Sequence, residues 1–258
     1  MPKEKELDRK ELKAIRRNLI SAVYDKSLSE QMQYCLSLVK DCEIKKGLRA
    51  NQIKGEVAEL SLKLILMDLE KILKANGFKC FISKNLALVS TGANGQIYSS
   101  ELDVSFMTEY RIYLFEVKCY SGYKTLTAEC NLRGRESVDI YLQSRSHLSR
   151  FDQCFDKCRI KYSNRGEGNQ KLPSPYKLIF YELSEDGVED KRTKEWQQNI
   201  PYYNYKTFHS KFCKDFMNSA KLGKPQWNLK QLAEEVKRYE DKYDEIMDFH
   251  LKRLEGNK

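Results

Sequence analysis

Three charged side chains sit inside two runs that otherwise read as buried strand. Glu101-Leu-Asp-Val-Ser-Phe106 and Arg111-Ile-Tyr-Leu-Phe-Glu-Val-Lys-Cys119 are rich in aliphatic, β-branched and aromatic residues, the composition of short strands. Asp103 interrupts the first run; Glu116 and Lys118 interrupt the second. Side chains two apart on a strand share a face, so Glu116 and Lys118 point the same way. If the two runs pair as a hairpin, Asp103 can join them. Two carboxylates about 4 Å apart repel by about 4 kcal/mol at an effective dielectric of 20, and a divalent cation between them turns that repulsion into coordination. Hard Mg²⁺ favours carboxylates and keeps several of its waters. The lysine beside the pair could then hold an attacking water or a phosphate oxygen. An ordinary amphipathic hairpin with a surface Glu–Lys pair is the alternative that these two runs leave open.

The elements that must position these groups follow from periodicity. From Leu7 to about Leu48 apolar residues recur at three and four: Leu12, Ile15, Leu19, Ile20 and Val23, then Met32, Cys35, Leu36 and Val39. That pattern predicts two amphipathic helices with a break and a cap in Asp25–Ser29. A longer, strongly apolar helix is expected from about Ala50 to Ala75, stopped by Asn76-Gly77. It carries Gly55-Glu56 and, one turn on, Glu59. Phe78–Ile82 and Asn85–Val89 read as strand or extended pieces, Ser90–Gly95 as a loop. Gly122 permits a sharp turn after the second charged run; the segment from Lys124 to Asp139 is expected to cross the surface. Tyr141–Phe155 reads as a helix with Leu148, Phe151 and Phe155 inward, Asn164–Asn169 as a loop, and Tyr176–Leu183 as a strand. Trp196–Tyr205 looks irregular and is broken by Pro201. Phe208–Leu222 and Leu229–Leu254 read as helices, the second a single long one.

At 258 residues the chain suits one medium domain or a core with appendages. The 46 Lys+Arg against 37 Asp+Glu leave a net charge of +9, a surplus that favours polyanions, nucleic acid above all. No run of eighteen apolar residues exists, which excludes a membrane-spanning helix. The N-terminal residues lack the apolar core of a signal peptide, so a cytoplasmic location with reduced thiols is expected. None of the eight cysteines forms a Cys-x-x-Cys pair. Cys154 with Cys158, and Cys35 with Cys42, have spacings that a four-cysteine zinc site could use, but buried free thiols are the commoner cause of such placement.

The order is therefore a helix with Gly55-Glu56, a strand with Glu101-Leu-Asp103, a strand with Phe115-Glu-Val-Lys118 and Gly122 four residues beyond the lysine, and a helix with Gln143, His147 and Leu148. This resembles the PD-(D/E)XK nuclease superfamily, and within it the NERD (nuclease-related) domain, over roughly residues 50 to 155. Asp139-Ile140 stands where the family often has Asn-Pro, and Gln52 where a further glycine is frequent.

The resemblance implies an α/β (α+β) fold, restriction-endonuclease-like, with a mixed central sheet flanked by helices: residues 49–185 as the core, 1–48 and 186–258 as helical extensions. It implies metal-dependent phosphodiester hydrolysis, in DNA. Asp103, Glu116 and the Val117 carbonyl would hold Mg²⁺ or Mn²⁺, with Glu56 (or Glu59) reaching it through water. Lys118 would orient or deprotonate the attacking water and stabilise the charged phosphorane, and Gln143 would position the phosphate or the lysine. Tyr120, Arg133, Arg135, Arg145, His147 and Arg150 could line a backbone-binding groove. The helical extensions could serve as a homodimerising arm or pack on the core. A non-catalytic nucleic-acid-binding module and an interaction scaffold are the rival expectations.

Overall fold

The computed structural model describes residues 6–83, 86–91, 95–120, 122–133, 137–162, 174–184, 187–221 and 224–256, the last four by backbone alone. Two helices open the chain, α1 (Arg9–Val23) and α2 (Leu28–Lys45). Each starts on a reciprocal cap: the Asp8 carboxylate accepts from the Glu11 N–H at 2.9 Å while Glu11 accepts from the Asp8 N–H at 2.8 Å. Ser27 and Glu30 repeat the arrangement, which places the break where Asp25–Ser29 predicts it. Orphan N–H groups at a helix start are satisfied in this way. Ser27→Ala should therefore lower stability by about 1 kcal/mol, read as a lower urea midpoint at unchanged slope.

Helix α3 (Leu48–Ala75) buries Val57, Ala58, Leu62, Leu66 and Leu69 completely. Gly77 ends it at φ +83°. The Phe78 N–H reaches the Leu73 carbonyl and the Gly77 N–H the Lys74 carbonyl, each at 3.0 Å, the paired bonds of a glycine C-terminal cap.

Five strands follow: β1 (Cys80–Ile82), β2 (Leu86–Thr91), β3 (Ile97–Leu102), β4 (Val104–Thr108) and β5 (Ile112–Lys118). Strand β2 thus runs past Val89 to Thr91, inside the stretch expected as a loop; Asn85 and 92–94 lie outside the described residues. The run Glu101–Phe106, expected as one strand, is two. Strand β3 pairs antiparallel with β2, and β4 with β1 and β5, and the chain bends between them at Asp103. The burial patterns give the reason. Alternation of exposed and buried positions in β3 marks a one-sided strand, whereas β4 is buried throughout, as a strand covered on both faces is.

The stretch expected to cross the surface forms three short strands, β6 (Thr125–Leu126), β7 (Asn131–Arg133) and β8 (Ser137–Asp139). Two- and three-residue strands have no readable period, so their pairing alone reveals them. Helix α4 (Ile140–Phe155) and strand β9 (Tyr176–Glu182) lie where expected; the loop expected at 164–169 is outside the described residues. Strand β10 (Glu189–Asp190) pairs parallel with β6. The aromatic stretch expected to be irregular holds α5 (Lys194–Asn199), capped by Thr193, and β11 (Tyr202–Asn204), parallel to β9.

Helix α6 (Phe208–Ala220) is followed by α7 (Leu229–Asp241) and α8 (Tyr243–Gly256), so the single long helix expected from Leu229 is divided at Lys242. Each half is anchored separately: Tyr239 of α7 packs on Phe155 at 5.3 Å, and the Tyr243 hydroxyl of α8 donates to Glu101.

The expected α/β class, with mixed sheets and flanking helices, is observed. One sheet has the strand order β1-β4-β5-β9-β11, another β10-β6-β7-β8, and both combine parallel with antiparallel pairs. Two compact units are formed. The first comprises Met1–Leu69, Val117–Asp139 and Phe180–His209. Within it the Ser61 hydroxyl meets the Tyr181 hydroxyl at 2.9 Å, and Arg192 is held by Asp190 and the Ile200 carbonyl. The second comprises Glu70–Glu116, Ile140–Ile179 and Ser210–Lys258. Its core centres on Phe106, Tyr113 and Phe212, with ring centroids 4.6 to 5.5 Å apart at the Phe212 contacts. An Arg111–Asp215 ion pair at 2.9 Å ties α6 to the start of β5. Helices α4, α7 and α8 pack on the β2–β3 hairpin. All eight cysteines are free thiols, and burial raises those of Cys35 and Cys119 to about 12. Among the described residues no helix is long and apolar enough to cross a membrane.

Candidate active site

Glu116 lies in β5, where every residue from Ile112 to Val117 is buried, and is itself 3 % exposed. A carboxylate removed from water needs compensating groups. His147 on α4 lies beside it, its Nδ1 3.3 Å from Glu116 Oε2. The β4–β5 register ends where Val104 pairs with Phe115; Glu116 follows on β5, and Asp103 precedes β4 outside the paired positions. Asp103 is half-buried at the bend that separates β3 from β4.

Val117 is buried and Lys118 half-buried at the end of β5. The Lys118 carbonyl accepts from the Leu183 N–H at 3.2 Å, which anchors the backbone carrying the lysine. Tyr120 is half-buried, and its carbonyl accepts from Lys124 Nζ at 2.6 Å.

Glu56 is buried in α3, but both its oxygens are engaged by Arg16 of α1: the Arg16 Nη2–H donates to Oε1 at 2.8 Å and the Nε–H to Oε2. Such a forked pair holds a carboxylate firmly. Glu59, the alternative helical carboxylate, lies 3.5 Å from Lys63. Glu56, Val117, Lys118, Tyr120 and Arg133 belong to the first unit; Asp103, Glu116, Gln143, Arg145, His147 and Arg150 belong to the second.

Of the α4 residues, Gln143 is exposed and His147 half-buried against Glu116. Arg145 is exposed and donates to the Tyr141 hydroxyl at 2.9 Å. Arg150 stacks over the Tyr98 ring at 4.1 Å and donates to Ser90 at 3.3 Å, so it fastens α4 to the β2–β3 hairpin. Arg133 is exposed at the end of β7; Arg135 lies outside the described residues.

Sequence reasoning missed two features. Lys124 and Glu182 form an ion pair with side chains 1 % and 0 % exposed; the other Glu182 oxygen accepts from the Ser184 hydroxyl at 2.7 Å. Burial pushes the Glu182 carboxyl up from its ordinary value, and Lys124 partly offsets this. A charge inside an apolar strand, the signal that singles out Glu116, is present at Glu182 too. The second feature is the buried hydroxyl of Ser144 on α4.

Two carboxylates and a strand carbonyl are the hard oxygen donors that Mg²⁺ or Mn²⁺ takes, and the near-complete burial of Glu116 suits a ligand charge that a cation compensates. Among the described residues no group of three or more His, Cys, Asp or Glu is placed to hold a metal.

No family model and no curated protein matches the chain. Among solved structures it is similar to the crystal structure of a protein of unknown function, AF1548, at 11% identity and a TM-score of 0.27. That likeness covers 56% of this chain and 58% of the other. At such a score it carries no argument.

Proposed function

We propose that this protein is a metal-dependent nuclease that hydrolyses phosphodiester bonds, in DNA. The observation that carries the reading is the buried Glu116 carboxylate, two residues before Lys118 on β5 and one position beyond the last β4–β5 pair, Val104 with Phe115. Asp103, Glu116 and the Val117 carbonyl would hold Mg²⁺ or Mn²⁺, which when bound lowers the pKa of water and neutralises developing oxyanion charge. Lys118, on the same strand face as Glu116, orients the attacking water and donates to a phosphate oxygen. His147 approaches the Glu116 carboxylate from α4. The +9 net charge supplies a sequence-independent attraction for the phosphate backbone, and the free thiols suit a cytoplasmic setting.

A second reading is favoured by the Arg16–Glu56 pair, which occupies the helical carboxylate: a nucleic-acid-binding module on a degenerate nuclease fold. Exposed Ile20 on α1 and Tyr24 at its C-terminal cap suit a homodimer contact through the N-terminal helices. Incubation with plasmid and Mg²⁺ or Mn²⁺ tests the nuclease. Nicking that needs the divalent ion and stops with chelator supports it. Intact DNA that is nevertheless retarded on a gel, with retardation falling steeply with salt, supports the binding module.

A further inference from the structure

Helix α1 buries one side and exposes the other. Leu19 and Val23 are buried. The helix is fastened to α3 by the Arg16–Glu56 pair, by Arg49 donating to Glu11 at 2.6 Å, and by the Leu7 N–H reaching Gln52 at 2.7 Å. Lys10, Lys13 and Arg17, three and four residues apart, stand together on the exposed side. Leu19, about two and a half turns from Lys10, points the opposite way. The Arg17 Nε–H donates to the Lys13 carbonyl at 3.4 Å, which lays the arginine back along this stripe. From Arg9 to Tyr24 the chain has five cations and one acid, Glu11. Both Glu11 oxygens are engaged, one by the Asp8 N–H and one by Arg49.

This charge pattern works against the helix that carries it. Arg9 and Lys10 stand in the first turn, where the macrodipole favours acids. Lys13 and Arg17 are a like-charged pair four residues apart, which repels. Helix stability alone would not select such a stripe, and an anion laid along it relieves both costs. Lys10 to Arg17 spans about 10 Å of helix, the axial reach of about three phosphates on one DNA strand. A bilayer fits less well, because a helix lying on a membrane buries its apolar side in the lipid. Here that side, with Leu19 and Val23, is covered by the protein, leaving Ile20 and Tyr24 exposed at the far end.

We propose that the face of α1 bearing Lys10, Lys13 and Arg17 is a docking surface for the phosphate backbone of DNA. It acts without regard to sequence and is distinct from the residues assigned to hydrolysis. The inference rests on the nucleic-acid partner of the proposed function but not on a metal ion, and it is tested in chelator, where metal-dependent cleavage is silent.

The test is fluorescence anisotropy of the full chain with a labelled DNA duplex in EDTA, across a salt series. Wild type is compared with the triple variant Lys10→Gln, Lys13→Gln, Arg17→Gln. A second triple variant, Lys230→Gln, Lys237→Gln, Lys242→Gln, removes equal charge from exposed positions of α7 and its C-terminal cap. The α1 variant should bind at least about tenfold more weakly at low salt, with the slope of log affinity against log salt shallower by about 2 to 3. Its melting midpoint should be unchanged or raised, since repulsion is removed. The α7 variant should keep the wild-type slope and most of the affinity. Equal weakening of the two variants overturns the proposal in favour of net charge alone, and wild-type affinity in the α1 variant overturns it outright. Failure of wild type to bind the duplex overturns it too; co-sedimentation with phosphatidylserine vesicles would then make the face a membrane contact. Plasmid left uncut with Mn²⁺ while the α1 results hold removes the nuclease and keeps the docking face. Cleavage by a protein whose α1 variant binds DNA normally does the reverse.

Discussion

Glu116→Gln should cut divalent-dependent cleavage by at least about a thousandfold, a barrier increase of about 4 kcal/mol, while leaving the protein as stable as wild type. The two effects separate for a physical reason. Glutamine preserves the volume of a side chain that is 3 % exposed, so the packing of β5 survives. Its amide removes the charge that a cation needs, while a neutral amide is less costly to bury than a carboxylate. Lys118→Ala, at the half-buried end of the same strand, should lose activity to a similar degree and still bind Mn²⁺, because it removes the group that faces water and phosphate. Cleavage of plasmid under single-turnover conditions, with the melting midpoint of each variant alongside, reads both. Cleavage by Glu116→Gln at the wild-type rate would place the chemistry elsewhere.

Lys124→Ala should destabilise the protein by about 3–5 kcal/mol, because it strands Glu182 as an uncompensated buried charge. The loss should depend on pH in a defined direction. Burial already raises the Glu182 carboxyl above its ordinary 4.5, with Lys124 as the main opposing influence; without the lysine the rise is larger. An acid with a raised folded-state pKa binds its proton more tightly folded than unfolded. Its contribution is fully present below the ordinary carboxyl range and is lost as pH rises through the raised value. Urea unfolding should therefore find the Lys124→Ala deficit smaller at pH 5 than at pH 8. Replacing both partners, as in Lys124→Met with Glu182→Leu, should recover much of the loss. An equal deficit at both pH values would mean that the pair acts through packing alone.

Local signals were legible in the chain because their partners are neighbours in it. Ser27, in the break expected at Asp25–Ser29, caps with Glu30 three residues on, and the Gly77 N–H closes on the Lys74 carbonyl three residues back. The apolar run Leu178–Tyr181 of β9 and the stripe of α4 are likewise properties of one short segment, as is Glu116 set two residues before Lys118. The strands β6, β7, β8 and β10 were not legible, since two or three residues carry no period. The division of the last helix at Lys242 was hidden as well: the apolar stripe continues through it, and only the separate anchors of Tyr239 and Tyr243 show the two halves.

The sequence by itself determined helices α3 and α4 and strands β5 and β9, and that a carboxylate and a lysine interrupt the apolar run of β5. Tertiary structure alone decided what each charge meets. Glu56 is claimed by Arg16, forty residues away, Glu182 by Lys124 across 58, and Glu116 by His147 from another element. It also turned Ser144 inward and Gln143 outward on the same helix. Periodicity and capping act within a turn or two of chain, whereas a buried charge takes its partner from whatever element the packing brings beside it.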